Sequence, residues 1–170
     1  VGVCLAVPER RLGFSAYLQH LFQGMDLTDG AGNLSPLLLL ANNLRACAVT
    51  MLYGLIPFVR LPALALGVNA VLLGGLAACY AATDTTMLLY AASLLPHGIF
   101  ELPALILAFS MGLYICGHMT RRCRRDPAAL PLGACLGLAA RLLVFLLLPL
   151  LILAALTEAY VTPLAAGLFL

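Results

Sequence analysis

Four long apolar blocks, separated by short polar connections, set the plan of this chain. A helix needs about 20 predominantly apolar residues to cross a bilayer. Leu34 to Val59 meets that length, although Asn42, Asn43 and Arg45 interrupt it. Leu61 to Ala82 is a second span with Asn69 inside it, and Arg60-Leu61-Pro62 forms a tight connector before it. Thr86 to Met119 is too long for one ordinary span, even a tilted one. Its punctuation predicts a short half-helix to Leu95, a break at Pro96-His97-Gly98 and a full helix from about Phe100 onward. Such a break makes the segment from Pro96 to Glu101 a broken or re-entrant helix, whose freed backbone groups need partners within the protein. Pro131 to Leu156 is the last clear span.

The ends read differently. Val1 to Val7 is apolar but too short to cross, and resembles the tail of an earlier, truncated helix. Residues 9–33 form a polar connection in which Leu12, Phe14, Tyr17, Leu18, Leu21 and Phe22 recur at helical spacing, as in an amphipathic helix at a membrane surface. Ala159 to Leu170 is apolar but short and contains Pro163 and Gly167, which predicts a segment that lies in the interface or packs back.

Composition fixes the class. Hydrophobic residues make up 64% of the 170 and charged residues only 9%, where a soluble domain carries about a quarter charged. The chain is therefore expected to be an all-α, polytopic transmembrane helical bundle forming one domain over residues 1–170, with the lipid bilayer as its first partner. Its formal charge of +2 gives no reason to expect nucleic acid. Arg121, Arg122, Arg124 and Arg125 form the strongest basic loop, which the positive-inside rule assigns to the cytoplasm. Counting spans puts Arg60 on that side too, and residues 9–33 and the C-terminus outside.

Under this topology, polar groups from three stretches converge on the outer half of the bundle: Asn42, Asn43 and Arg45; His97 and Glu101; and Glu158. A carboxylate in hydrocarbon costs at least a few kcal/mol unless it is paired, protonated or hydrated, about 2.5–3.5 on insertion scales. Arg45 with Glu101 or Glu158 is the obvious ion pair, and Asn42 or Asn43 can satisfy backbone freed near Pro96. His97 and Glu101 lie four residues apart and share a face if helix extends that far. The cluster reads either as a structural lock between helices or as a ligand, proton or partner site. Gly133 and Gly137 form a G-x-x-x-G that permits close helix packing, within the chain or between two copies.

Catalytic chemistry finds little support. Neither His97 nor His118 belongs to an H-E-x-x-H pair, no G-x-S-x-G occurs, and the six cysteines contain no C-x-x-C. Cys116, His118 and Cys123 offer at most a three-ligand set near the basic loop, and small apolar filler accounts better for the thiols. No catalytic residue, metal or cofactor is expected.

One family fits the residue order. Asn42-Asn43-Leu44-Arg45, Gly54, Asn69, Pro96-His97-Gly98 with Glu101-Leu102-Pro103-Ala104, Gly112, and Ala155-Leu156-Thr157-Glu158 through Pro163 together resemble the stage II sporulation protein M family. The resemblance runs from Leu34 onward. It departs at Asn69-Ala70, where the family usually has Asn-Gly. It implies a non-enzymatic, multi-pass protein of the bacterial cytoplasmic membrane, with Pro96, His97, Gly98 and Glu101 as its central signature and Asn43, Arg45, Asn69, Glu158 and Pro163 in support. Its founding member acts during sporulation beside a wall-degrading partner. The expected function is thus a scaffold that anchors or positions cell-envelope proteins such as peptidoglycan-remodelling enzymes, with a homo-oligomer, a homodimer in the simplest case, as the expected assembly. The alternative is a small-solute or ion transporter or channel that uses the intramembrane His, Glu, Asn and Arg groups as a homodimer.

Overall fold

The structure, a computed structural model, describes residues 35–81, 87–162 and 164. The expected surface helix at residues 9–33, the truncated first span and Pro163 lie outside the described residues. Helix α1 is Pro36–Leu52, extended by a 3₁₀ turn at Tyr53–Leu55. Helix α2 is Leu61–Ala81 and α3 is Met87–Cys123. Helices α4, Leu132–Leu142, and α5, Leu148–Leu156, are joined by a π-helical turn at Leu143–Leu147, and a second π turn follows at Thr157–Val161. No strand occurs among the described residues. Three stretches, Pro36–Leu55, Leu94–Cys123 and Leu132–Val161, are long and apolar enough to cross a membrane, and Leu61–Gly75 is a shorter apolar stretch. The all-α membrane bundle read from the sequence is the fold observed.

The expected break is corrected. Helix α3 continues through Pro96, Gly98 and Pro103. A proline inside a helix removes one N–H and leaves one upstream carbonyl without its partner. Opening the helix at Pro96–Gly98 would instead strand several amides and carbonyls, each costing several kcal/mol in hydrocarbon. Continuity is the cheaper solution, and at 37 residues α3 reaches about 55 Å, well beyond the hydrocarbon layer.

Helix α3 is the centre of the bundle and packs against α1, α2 and α5. Its inward stripe is His97, Glu101, Ala104, Ala108, Met111 and Ile115, alternating steps of four and three as a helix–helix seam requires. From Ala104 to Ile115 these residues are buried, and they meet Cys47 and Met51 of α1 and Leu147 and Leu151 of the last rod, the continuous helical run Leu132–Val161. In that rod Cys135, Ala139, Leu147, Leu151 and Ala155 are buried at multiples of four residues. A four-residue step overshoots an α-helical turn by about 40°. The π turn at Leu143–Leu147 absorbs the overshoot and also precedes Pro149, whose ring would otherwise crowd the preceding turn.

The closest approach in the bundle is made by glycines. A β-carbon on Gly54 would collide with the Gly112 carbonyl oxygen and lie 2.9 Å from Ile115 Cβ. One on Gly112 would lie 2.8 Å from both the Thr50 carbonyl oxygen and Pro62 Cγ. Here α1 and its 3₁₀ turn touch α3 backbone to backbone, and the Pro62 ring of α2 closes on Gly112. The same end holds the basic loops. The Phe58 amide donates to Thr120 Oγ1 at 3.0 Å, Cys116 Sγ donates to the Ile56 carbonyl at 3.4 Å, and the Arg124 guanidinium lies 5.9 Å from the Phe58 ring centroid. Arg60 and the arginines from 121 to 125 thus share one end, as the topology requires.

Helix α3 stops there in a Schellman motif. Arg125 adopts φ 57°, its amide donates to the Arg122 carbonyl, and the Asp126 amide donates to the Arg121 carbonyl. The following turn is tied back to α3 by the Leu130 amide, which donates to His118 Nδ1 at 3.1 Å. His118 is thereby a structural residue of the turn.

Gly133 and Gly137 behave unlike Gly54 and Gly112. Both are exposed, and a β-carbon at either meets nothing within 4 Å, so they pack against no described helix of this chain. The buried face of α4 is Cys135 and Ala139 instead. Gly112→Ala is expected to destabilise the protein by about 1–3 kcal/mol, the usual cost of overpacking. Gly137→Ala is expected to stay within about 0.5 kcal/mol of the parent, as at open surface sites. Thermal unfolding in one mild detergent compares the two directly.

Candidate functional site

At the end of the bundle remote from the arginines, the buried stripe of α3 turns polar. His97 and Glu101 continue the line of Ala104 and Ala108 upward, so the same register that builds the core aims both side chains at the last rod. There, Ala154 and Ala155 are buried, and one turn later the π segment presents Glu158. His97, Glu101 and Glu158 each place one nitrogen or oxygen within 4.8 Å of the other two. His97 Nε2 lies 4.0 Å from Glu101 Oε2, with the two side chains 13% and 24% exposed, so the group is sheltered yet open on one side.

The π turn has a local cause. Thr157 Oγ1 donates back to the carbonyls of Leu153 and Ala154, both at 2.8 Å, which loosens the normal ladder at the point where it widens. Thr162 Oγ1 then donates to the Thr157 carbonyl at 3.2 Å and lies 3.3 Å from His97 Nδ1. A hydroxyl has one proton, and that of Thr162 is used on Thr157. With that proton on Thr157, the Thr162 oxygen accepts from His97 Nδ1–H, the tautomer that leaves Nε2 facing the carboxylates.

The polar convergence expected from the sequence is thus observed for His97, Glu101 and Glu158, but not for every member. Arg45 is exposed on α1, and neither it nor any other arginine pairs with Glu101 or Glu158 among the described residues. The expected ion pair is corrected for a geometric reason. Leu39, Cys47, Thr50 and Met51 are the buried face of α1, and Arg45, two residues before Cys47, points to the other side of the helix. Asn42 and Asn43 are half-buried, and no hydrogen bond joins them to the backbone near Pro96 among the described residues. Asn69 is half-buried on α2 and lies outside the triad. Pro96 and Gly98 shape α3 around the site without contributing a ligand atom, and Gly98 is buried. Cys116, His118 and Cys123 do not assemble: Cys116 and His118 bond separately to the backbone and Cys123 is exposed.

Sequence reading did not identify Thr157 and Thr162 as residues that hold His97 in place. Their signal was available in Thr-Glu-x-x-x-Thr-Pro, which brackets an acidic residue with hydroxyls at helical spacing near a proline.

The profile of the stage II sporulation protein M family matches residues 12–163, nearly the whole chain. This chain belongs to that family. Comparison with curated proteins and with solved structures gave no match. In this member of the family, two of the elements that carry the resemblance, Pro96 to Glu101 and Thr157 to Thr162, meet in space. Together with its membrane-crossing helices, family membership makes it a membrane protein.

Replacing Arg45 by Ala is expected to change unfolding stability by less than about 0.5 kcal/mol, because the side chain is exposed. Chemical or thermal unfolding in detergent checks this. A loss of about 3 kcal/mol would mean that a buried ion pair does form.

Proposed function

We propose that the protein is a non-enzymatic scaffold in the bacterial cytoplasmic membrane that anchors or positions cell-envelope proteins such as peptidoglycan-remodelling enzymes. The arginine end faces the cytoplasm and the His97 end faces outward. The observation that carries the reading is the distribution of polarity with depth. His97, Glu101, Glu158 and Thr162 gather at one end, whereas Cys47, Met51, Ala108, Ile115, Leu147 and Leu151 pack into a close, apolar core beneath them. A transport route needs polar or hydrated positions through the full depth of the bundle. A docking platform needs only a shaped end, and here His97 of α3 is joined to Thr162 of the last rod. The exposed Gly133–Gly137 face fits the close helix approach expected in a homo-oligomer.

Affinity purification from native membranes in mild detergent, followed by mass spectrometry, tests the reading. Wild type is expected to retain an envelope protein that Glu101→Gln loses, while the variant remains folded by size-exclusion chromatography. A homo-oligomer without a partner in both samples, together with solute or ion flux into vesicles reconstituted with wild type but not with Glu101→Ala, would replace the scaffold with the transporter.

A further inference from the structure

We infer that His97, Glu101 and Glu158 form a binding site for a divalent first-row transition-metal cation, with Zn²⁺ as the representative ion. The site goes beyond the scaffold role and does not depend on it.

Geometry comes first. The three ligand atoms lie within 4.8 Å of one another. Bonds of about 2.0–2.2 Å to one tetrahedral ion put its ligand atoms about 3.4 Å apart. Closing the difference takes at most about 1.4 Å at any pair, within reach of side-chain rotation in Glu101 and Glu158. Two ligands come from one face of α3, four residues apart, and the third from the π turn of the last rod.

The histidine is also oriented for the role. Metal-bound imidazoles usually donate their second ring N–H to a neighbouring acceptor, which fixes the tautomer and turns the other nitrogen to the ion. His97 Nδ1 meets Thr162 Oγ1, whose own proton is held by the Thr157 carbonyl. Nε2 is left facing Glu101 Oε2 at 4.0 Å, too far for a hydrogen bond.

Charge completes the argument. Two carboxylates share this end of the bundle, and no arginine pairs with either among the described residues. A dication with two carboxylates and a neutral imidazole gives a net charge of zero, the least costly state for a site bordered by hydrocarbon. The mixture of one nitrogen and two oxygens suits Zn²⁺ and its neighbours better than Mg²⁺ or Ca²⁺, which prefer oxygen alone. Three protein ligands leave a fourth position for water or a further oxygen. The ion would clasp α3 to the last rod at the end where glycine contacts do not.

The test uses the full chain, purified in mild detergent through a tag free of histidine and stripped with EDTA. Equilibrium dialysis against Zn²⁺ with elemental analysis is expected to give one ion per chain. Thr162→Val, which keeps all three ligands, is expected to weaken binding by about 10–100-fold, the usual effect of losing such an outer hydrogen bond. His97→Ala and Glu158→Gln are expected to weaken it further, and His118→Ala to leave it unchanged. Should the ligand variants fail to fold, the wild-type Co²⁺ spectrum decides. Visible d–d bands without thiolate charge transfer support the site. Sub-stoichiometric Zn²⁺, thiolate bands in the Co²⁺ protein, or wild-type affinity in a folded His97→Ala protein would overturn it. Failure to capture an envelope partner would leave these readouts unaffected.

Discussion

The bundle depends on the approach of α1 and α2 to α3 at Gly54, Pro62 and Gly112. Lipid tails are as apolar as leucine, so helices in a membrane gain little from hiding side chains and are held chiefly by close packing. The absence of β-carbons at Gly54 and Gly112 lets the backbones of α1's 3₁₀ turn and α3 meet and seats the Pro62 ring of α2 against Gly112. The neighbouring Phe58–Thr120 and Cys116–Ile56 bonds act over the same short distance. At this end the structure is defined by what is small. At the other end, where His97, Glu101 and Glu158 meet, it is defined by what is polar.

The seam on α3 connects those two regimes. His97, Glu101, Ala104, Ala108, Met111 and Ile115 form one stripe, so the register that buries the alanines also fixes where the carboxylate and imidazole sit. The last rod answers with a stripe of four-residue steps that remains in phase only because π turns interrupt the α-helix. Without the second of them, Glu158 and Thr162 would rotate away from α3. Core packing and polar convergence are therefore two readings of one register.

Much of this was legible in the residues. Spans expected at Leu34–Val59, Leu61–Ala82 and Pro131–Leu156 closely match helices at Pro36–Leu55, Leu61–Ala81 and Leu132–Val161, because apolar length is a direct physical signal. His97, Glu101 and Glu158 stood out as ionisable groups in apolar runs and do converge. The Pro96–Gly98 punctuation misled, since in hydrocarbon a proline within a helix costs less than an opened helix. Arg45 misled because charge suggested a partner while its helical phase pointed it elsewhere. The G-x-x-x-G at Gly133 drew attention from Gly54 and Gly112, which no short motif joins and only the fold brings together. The π turns have no simple sequence signature, so Thr-Glu-x-x-x-Thr-Pro marks a polar segment without showing that its Thr162 meets His97.

The long separation along the chain between His97 and Thr162 has a consequence for biogenesis. Spans leave the ribosome in order, so α3 must enter the lipid with His97 and Glu101 before the helix that answers them has been made. During that interval the two side chains lack the neighbours that shelter them in the finished bundle. The glycine contact among α1, α2 and α3 involves only segments already synthesised, so the arginine end can assemble early. The polar end must wait for the final rod. Arrival of Thr157 to Thr162 then brings His97 and Glu101 the polar neighbours they have in the finished bundle.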